Sequence, residues 1–219
     1  MFPYLCQVDT PVEPPDAARE NAPQPGRPYD HSSDFAILAT TLDLIAEHGY
    51  ERVTLDDIAA RTHKAKTTLY RRWATKDHLL LATIRSIGPP PERDRLPDHG
   101  SLRSDLFAVI DSPWLGGPDR RLSIFAGLAS AGRSSELLAE AVRAEVTEPY
   151  VEIYRRILDR AIERGYIRPE FAARVPVLAE VIPAMSTHRL SNSREPVGRD
   201  FFVSVVDDIV LAALRAPGR

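Results

Sequence analysis

The chain holds one cysteine, Cys6, among 219 residues. A lone thiol excludes an internal disulfide and a thiolate metal cluster. It fits a reducing cytoplasm, where the chain is expected to work. No apolar run approaches the roughly 20 residues needed to cross a bilayer, so no membrane partner is expected. No basic segment followed by an apolar one opens the chain, so no signal peptide is expected. His31, His48, His63, His78, His99 and His188 stand at no metal-ligand spacing. A Gly-rich phosphate loop, a nucleophile elbow and a carboxylate pair with a partner helix are all missing. Neither an enzyme nor a bound cofactor or metal is therefore expected. Lysine is also scarce. There are three, Lys64, Lys66 and Lys76, all inside thirteen residues, and every other basic residue is arginine.

What is present describes a globular chain with a real core: 43% hydrophobic and 27% charged residues, with a net charge of −3. That balance gives the whole chain no nucleic-acid character, but one stretch departs from it. Residues 61–76 carry six bases and no acid. When the partner is a polyanion, such a local patch outweighs the overall charge. Taken alone, it could equally be a solvated helix face.

Residues 1–32 contain seven prolines and little apolar periodicity, and read as a disordered or loosely packed arm. The arm is acidic, which suits a passive tail better than a minor-groove probe. Residues 33–87 read as four helices. In the first, Phe35, Leu38, Leu42 and Ile45 recur at three- and four-residue steps, Ser32 or Ser33 supplies the cap, and Gly49 ends it. Thr54 is placed to cap a second helix over 55–61, accepting from the N–H of Asp56 or Asp57 and burying Leu55, Ile58 and Ala59. A break over 62–65 precedes a third helix, 66–73, with Leu69 and Trp73 facing inward. Thr75 caps a fourth, carrying Leu79, Leu80 and Ile84. Segment 86–100, with four prolines and two glycines, is a connection.

Further helices are expected over 101–111, 119–131, 135–164, 171–189 and 199–215, with kinks or breaks at Pro149 and Pro183. The fold class is thus all-α, with no strand alternation. The last helix is apolar at eleven of its sixteen residues over 200–215, on more than one stripe. Such a helix needs cover on two sides, most simply from its own domain and a second copy of the chain.

Two short helices joined by a tight turn, the second one basic, make a helix-turn-helix, whose second helix enters the major groove. Its lysines and arginines neutralise phosphates or bond guanine edges, and its hydroxyls hold phosphates. The stretch GYERVTLDDIAARTHKAKTTLYRRWATKDHLL resembles the DNA-binding domain of the TetR family of transcriptional regulators. The features carrying the resemblance are a glycine closing helix one, a threonine before an apolar–x–x–Ile–Ala stretch, Thr-Leu-Tyr, a following aromatic, and Lys-Asp before leucines. More loosely, RGYIRPEF, VIPAMSTHRL and the final apolar helix are similar to one subtype of the family's C-terminal domains. The resemblance implies three domains: an arm over 1–32, a helix-turn-helix domain over 33–87, and a ligand-binding and dimerisation domain over 88–219.

It also implies residue roles. Lys66, Thr67 and Arg71 would read base edges, while Thr68, Tyr70, Lys76 and Thr54 would hold phosphates, with Lys64 as an added contact. Where the family's turn usually reads Ala-Gly-Val-Ser, this chain has Thr62-His63-Lys64-Ala65. The change puts His63 where glycine supplies a positive φ, and removes a cap worth about 1 kcal/mol at Ala65.

Residues that could line an effector cavity are Phe107, Trp114, Phe125, Tyr150, Tyr154, Met185 and His188; each also fits an ordinary core or surface position. Ile182, Arg189, Phe202, Val205, Val206 and Ile209 are expected at the dimer interface. The expected function is a homodimeric, sequence-specific regulator, most simply a repressor that a small and largely apolar ligand releases from a pseudo-palindromic operator. Control by a protein partner or by abundance is the second reading.

Overall fold

The computed structural model describes residues 31–192 and 197–215, so all but the last two residues of the expected arm lie outside it. Every regular element among the described residues is helical. Helix α1 (His31–His48) is followed by a short 3₁₀ turn at Tyr50–Arg52, then α2 (Leu55–Arg61), α3 (Lys66–Arg72) and α4 (Lys76–Ser86). Then come α5 (Leu102–Ile110), α6 (Pro118–Ser134), α7 (Glu136–Val142), α8 (Glu148–Glu163), α9 (Val175–Asn192), α10 (Arg199–Ser204) and α11 (Leu211–Ala213).

The first helix starts at His31, ahead of the serines expected to cap it. Of the expected stripe, Leu42 and Ile45 are buried and Leu38 is partly buried against the core, but Phe35 is 72% exposed. Ile37, Thr41 and Leu44 are buried as well. Phe35 has the right spacing to Leu38, but it falls on the flank of the stripe that Ile37, Thr41 and Leu44 define at four- and three-residue steps. Thr41 stays buried because its hydroxyl donates to the Ile37 carbonyl at 2.8 Å.

Proline shapes the rest without ending helices. Pro149 lies in the first turn of α8, and Arg143–Thr147 joins α7 to α8 as a π-helical turn. A proline lacks an N–H and its ring crowds the carbonyl four residues back; the wider turn directly ahead accommodates this without breaking the rod. Helix α9 continues past Pro183 without a break. A second π-helical turn, Val205–Val210, links α10 to α11, so the apolar C-terminal segment is continuous but locally widened.

Two apolar clusters form among the described residues. One joins α5, α8, α9 and the C-terminal helices. The other is centred on α1–α4 but also takes in Ile124, Leu128 and Ala131 of α6 and Leu138 and Ala141 of α7. The core of the N-terminal helices therefore continues into the following helices instead of closing at segment 86–100. Gly127 makes this possible: a Cβ there would lie 2.5 Å from the Ile45 Cγ2 and 2.7 Å from the Ile45 carbonyl oxygen. Arg120 adds a 2.5 Å ion pair to Asp43 of α1.

Much of the C-terminal segment is covered from within the chain. Phe202, Val205 and Val206 are at most 6% exposed, and Ile182 of α9 is 2% exposed. These four were expected at a dimer interface, and the fold buries them in their own subunit instead. The reason is the packing of the C-terminal helix against α9 and α5, which takes up the stripe that composition alone left unassigned. Ile209, 38% exposed, and Arg189, whose guanidinium lies over the Phe201 ring, remain at the surface.

Candidate nucleic-acid interface

The α2–turn–α3 unit is built from caps and a buried leucine. Thr54 closes a capping box on α2: its hydroxyl accepts from the Asp57 N–H at 3.2 Å, and the Asp57 carboxylate accepts from the Thr54 N–H at 2.9 Å and hydroxyl at 2.6 Å. These bonds hold the Asp57 carboxyl below its usual range. The turn after α2 is a Schellman motif. His63 N–H donates to Ala60 O at 3.2 Å, and Lys64 N–H donates to Ala59 O at 3.0 Å. His63 takes the left-handed position with φ 53°, the strained conformation that the missing glycine predicts. Ala65 caps α3 with no side-chain bond.

Within α3, Leu69 is fully buried and Arg72 turns back to pair with Asp34 of α1. Trp73, expected inside, is only partly buried against this core, because the helix ends one residue before it. The opposite face is open. Lys66, Thr67, Tyr70 and Arg71 are all exposed, Tyr70 by 51%, and Thr68 is half-buried beside them. The i, i+4 pairs 66/70 and 67/71 put the four exposed side chains on one stripe. Lys64 stands exposed in the turn. The structure therefore gathers the α3 and turn residues expected to meet DNA, with Tyr70 outside the core.

Two expected contacts are engaged elsewhere. The Lys76 ammonium donates to Tyr50 O at 3.0 Å and sits 3.9 Å from the Tyr50 ring centroid. Tyr50 in turn donates its hydroxyl to Asp77, and burial with that bond pushes its pKa well up. This cluster fastens the start of α4 to the turn after α1. Lys66 donates to Asp56 of α2 at 2.6 Å, which raises the lysine pKa.

The expected effector residues divide. Phe125 and Tyr150 line a small chamber of about 70 Å³ bounded by α6, α8, α9 and the π turn. Trp114 stacks on Tyr150 at 5.8 Å, and the Tyr154 hydroxyl lies 2.9 Å from that of Tyr150. Burial raises both tyrosine pKa values. Phe107 is core, between the guanidiniums of Arg103 and Arg199. Met185 is exposed and lines neither space. The larger space is an open groove of about 1120 Å³ between α8 and α9, with His188 on its wall. It shares Thr147, Pro183 and Thr187 with the chamber. Sequence reasoning missed these three, together with Glu148 and Glu180 of the groove. Pro149 and Pro183, read only as kinks, both line it and were the available signal. Among the described residues no group of His, Cys, Asp or Glu is arranged to hold a metal ion, and no helix is long and apolar enough to cross a membrane.

Comparison with known proteins agrees with this geometry. Residues 37–83 match the family model for bacterial regulatory proteins of the tetR family, and residues 96–209 match the model for the tetracyclin repressor-like C-terminal domain. A DNA-binding transcriptional repressor TetR of Mycobacteroides abscessus is 30% identical over 184 residues, covering 84% of this chain and 95% of that one. An uncharacterised helix-turn-helix regulator of Mycobacterium tuberculosis is 30% identical over 202 residues, covering 90% and 94%. The fold is shared with the transcriptional regulator FadR of Bacillus subtilis, solved in complex with stearoyl-CoA, at 17% identity and a TM-score of 0.57 over 84% and 99% of the chains. With an exposed polar stripe on α3, an α-helical C-terminal domain and matches over both parts, the chain belongs to the TetR family of DNA-binding transcriptional regulators.

Proposed function

We propose that the protein is a homodimeric repressor. Its two α3 helices enter successive major grooves of a pseudo-palindromic operator, about 34–36 Å apart, and a small molecule releases it. The observation that carries the reading is the division of α3: Leu69 is fully buried, while Lys66, Thr67, Tyr70 and Arg71 are exposed together. Lys66, Thr67 and Arg71 take base edges. Thr68, Tyr70 and Lys64 hold phosphates. Thr54 and Lys76 act chiefly by fixing α2 and α4.

The effector site is the groove and the chamber it opens onto. The chamber alone is below the roughly 300 Å³ of an ordinary ligand pocket, while the groove exceeds it and carries Arg93, Arg143, Glu148 and Glu180. This favours an amphipathic effector with an apolar end in the chamber over a wholly apolar one. The solved relative carrying stearoyl-CoA makes long-chain acyl thioesters a reasonable first probe. Anisotropy titration against the chain's own promoter region, with and without acyl-CoA, tests both parts. Replacing Ala129, which lines the chamber, with Trp should leave operator binding intact and abolish release. Equal release of both proteins would place the effector elsewhere.

A further inference from the structure

We infer that Asp56 is a specificity-determining residue, holding the Lys66 ammonium off the phosphates so that α3 discriminates operator from bulk DNA. The inference rests on the assignment of α3 as the reading helix. Lys66 opens α3 and Asp56 lies in the first turn of α2. Their 2.6 Å contact crosses the turn on the exposed side, with the two side chains 62% and 51% exposed. Two features give this contact more to do than an ordinary surface pair. The turn it spans carries a strained His63 and no side-chain cap at Ala65. The pair also lies beside the face that carries Thr67, Tyr70 and Arg71, so an acid sits next to a surface meant for a polyanion.

The chemistry separates two modes of binding. Non-specific binding is almost entirely phosphate neutralisation. If Lys66 meets a phosphate while keeping Asp56, the carboxylate and the phosphate are brought side by side and repel; if it leaves Asp56, the carboxylate faces the phosphates unpaired. A base edge differs, because its acceptors are neutral and a lysine whose ammonium still keeps Asp56 can meet them without that repulsion. An ammonium has three protons to place. Asp56 therefore penalises the non-specific mode more than the specific one.

The test compares wild type with Asp56→Asn by fluorescence anisotropy, on the operator found for the wild type and on unrelated duplex, across several salt concentrations. One added phosphate contact should raise non-specific affinity by roughly five- to tenfold near 0.1 M salt and steepen that salt slope by about 0.9. Operator affinity should change by less, so the ratio of the two falls. In a Lys66→Gln background the Asp56→Asn change should leave the ratio where Lys66→Gln alone puts it. Equal gains on both duplexes would reduce Asp56 to a general negative charge, and no gain on either would remove its role; both outcomes overturn the inference. A fall in the ratio that persists in the Lys66→Gln background overturns it too, because Asp56 would not be acting through Lys66. Circular dichroism melts of each variant establish that the head is folded. If the wild type selects no operator at all, it is the assignment of α3 that fails, which is a separate result.

Discussion

Single residues in the turn between α2 and α3 set how firmly the reading helix is held. His63 occupies a left-handed position at φ 53°, which costs a non-glycine residue about 1–2 kcal/mol. His63→Gly removes that strain but frees the unfolded chain, which costs about 0.4–1 kcal/mol. Urea unfolding should therefore show a net gain of up to about 1.5 kcal/mol. Ala65→Ser restores a missing cap and should add about 1 kcal/mol more; a loss in either variant would mean that the turn is set by something other than its backbone. Asp57 gives a pH test. Bonds from Thr54 hold its carboxyl below the ordinary value, so the folded state binds fewer protons than the unfolded one. The stability this contributes is fully present above the unfolded value of about 3.9 and is lost as pH falls through the lowered folded value. Wild type should exceed Asp57→Ala in urea midpoint at pH 7, and the gap should close toward pH 2. A gap that does not change with pH would assign it to helix propensity instead.

At the scale of elements, α6 is the wall between the chamber and the head. Phe125, Leu128 and Ala129 line the chamber, while Gly127 lies directly against Ile45 of α1. Gly127→Ala should gain about 1 kcal/mol in helix propensity, but it forces a Cβ to 2.7 Å from the Ile45 carbonyl oxygen. Overpacking of this kind costs about 1–3 kcal/mol, so melting should show a net loss; a rise in Tm would mean that α1 and α6 separate easily. The elements show what could be read from the sequence. Thr54, Thr75 and the apolar spacing of α2–α4 are local signals, and they placed those helices closely. In α1 the expected Leu38, Leu42 and Ile45 do pack on the core and Phe35 does not, because the buried face continues through Ile37 and a two-residue step turns Phe35 toward the opposite side of the helix. Pro149 and Pro183 announced irregularity but not its kind, since a π turn depends on what neighbouring helices tolerate. Val205 and Val206 read as a free apolar face because sequence cannot show that α9 and α5 already cover it.

For the whole molecule, the central claim is that the exposed stripe of α3 reads an operator, despite a turn without its glycine and cap. The exposed stripe of α3 was legible because it lies on one short helix, whose buried Leu69 leaves Lys66, Thr67, Tyr70 and Arg71 on the outer side. The groove and chamber were not, because Thr147 of the π-helical turn and Pro183 and Thr187 of α9 are distant in sequence and meet only in the packed domain. The measurement that tests the claim most directly is an anisotropy titration of wild type and Tyr70→Ala against the promoter region and unrelated DNA, at two salt concentrations. Tyr70 is 51% exposed, so its removal should leave the melting curve nearly unchanged. The account predicts tight, selective wild-type binding that weakens steeply with salt, and a loss of at least about tenfold in Tyr70→Ala. Binding that ignores sequence in the wild type, or that survives intact in Tyr70→Ala, would contradict it.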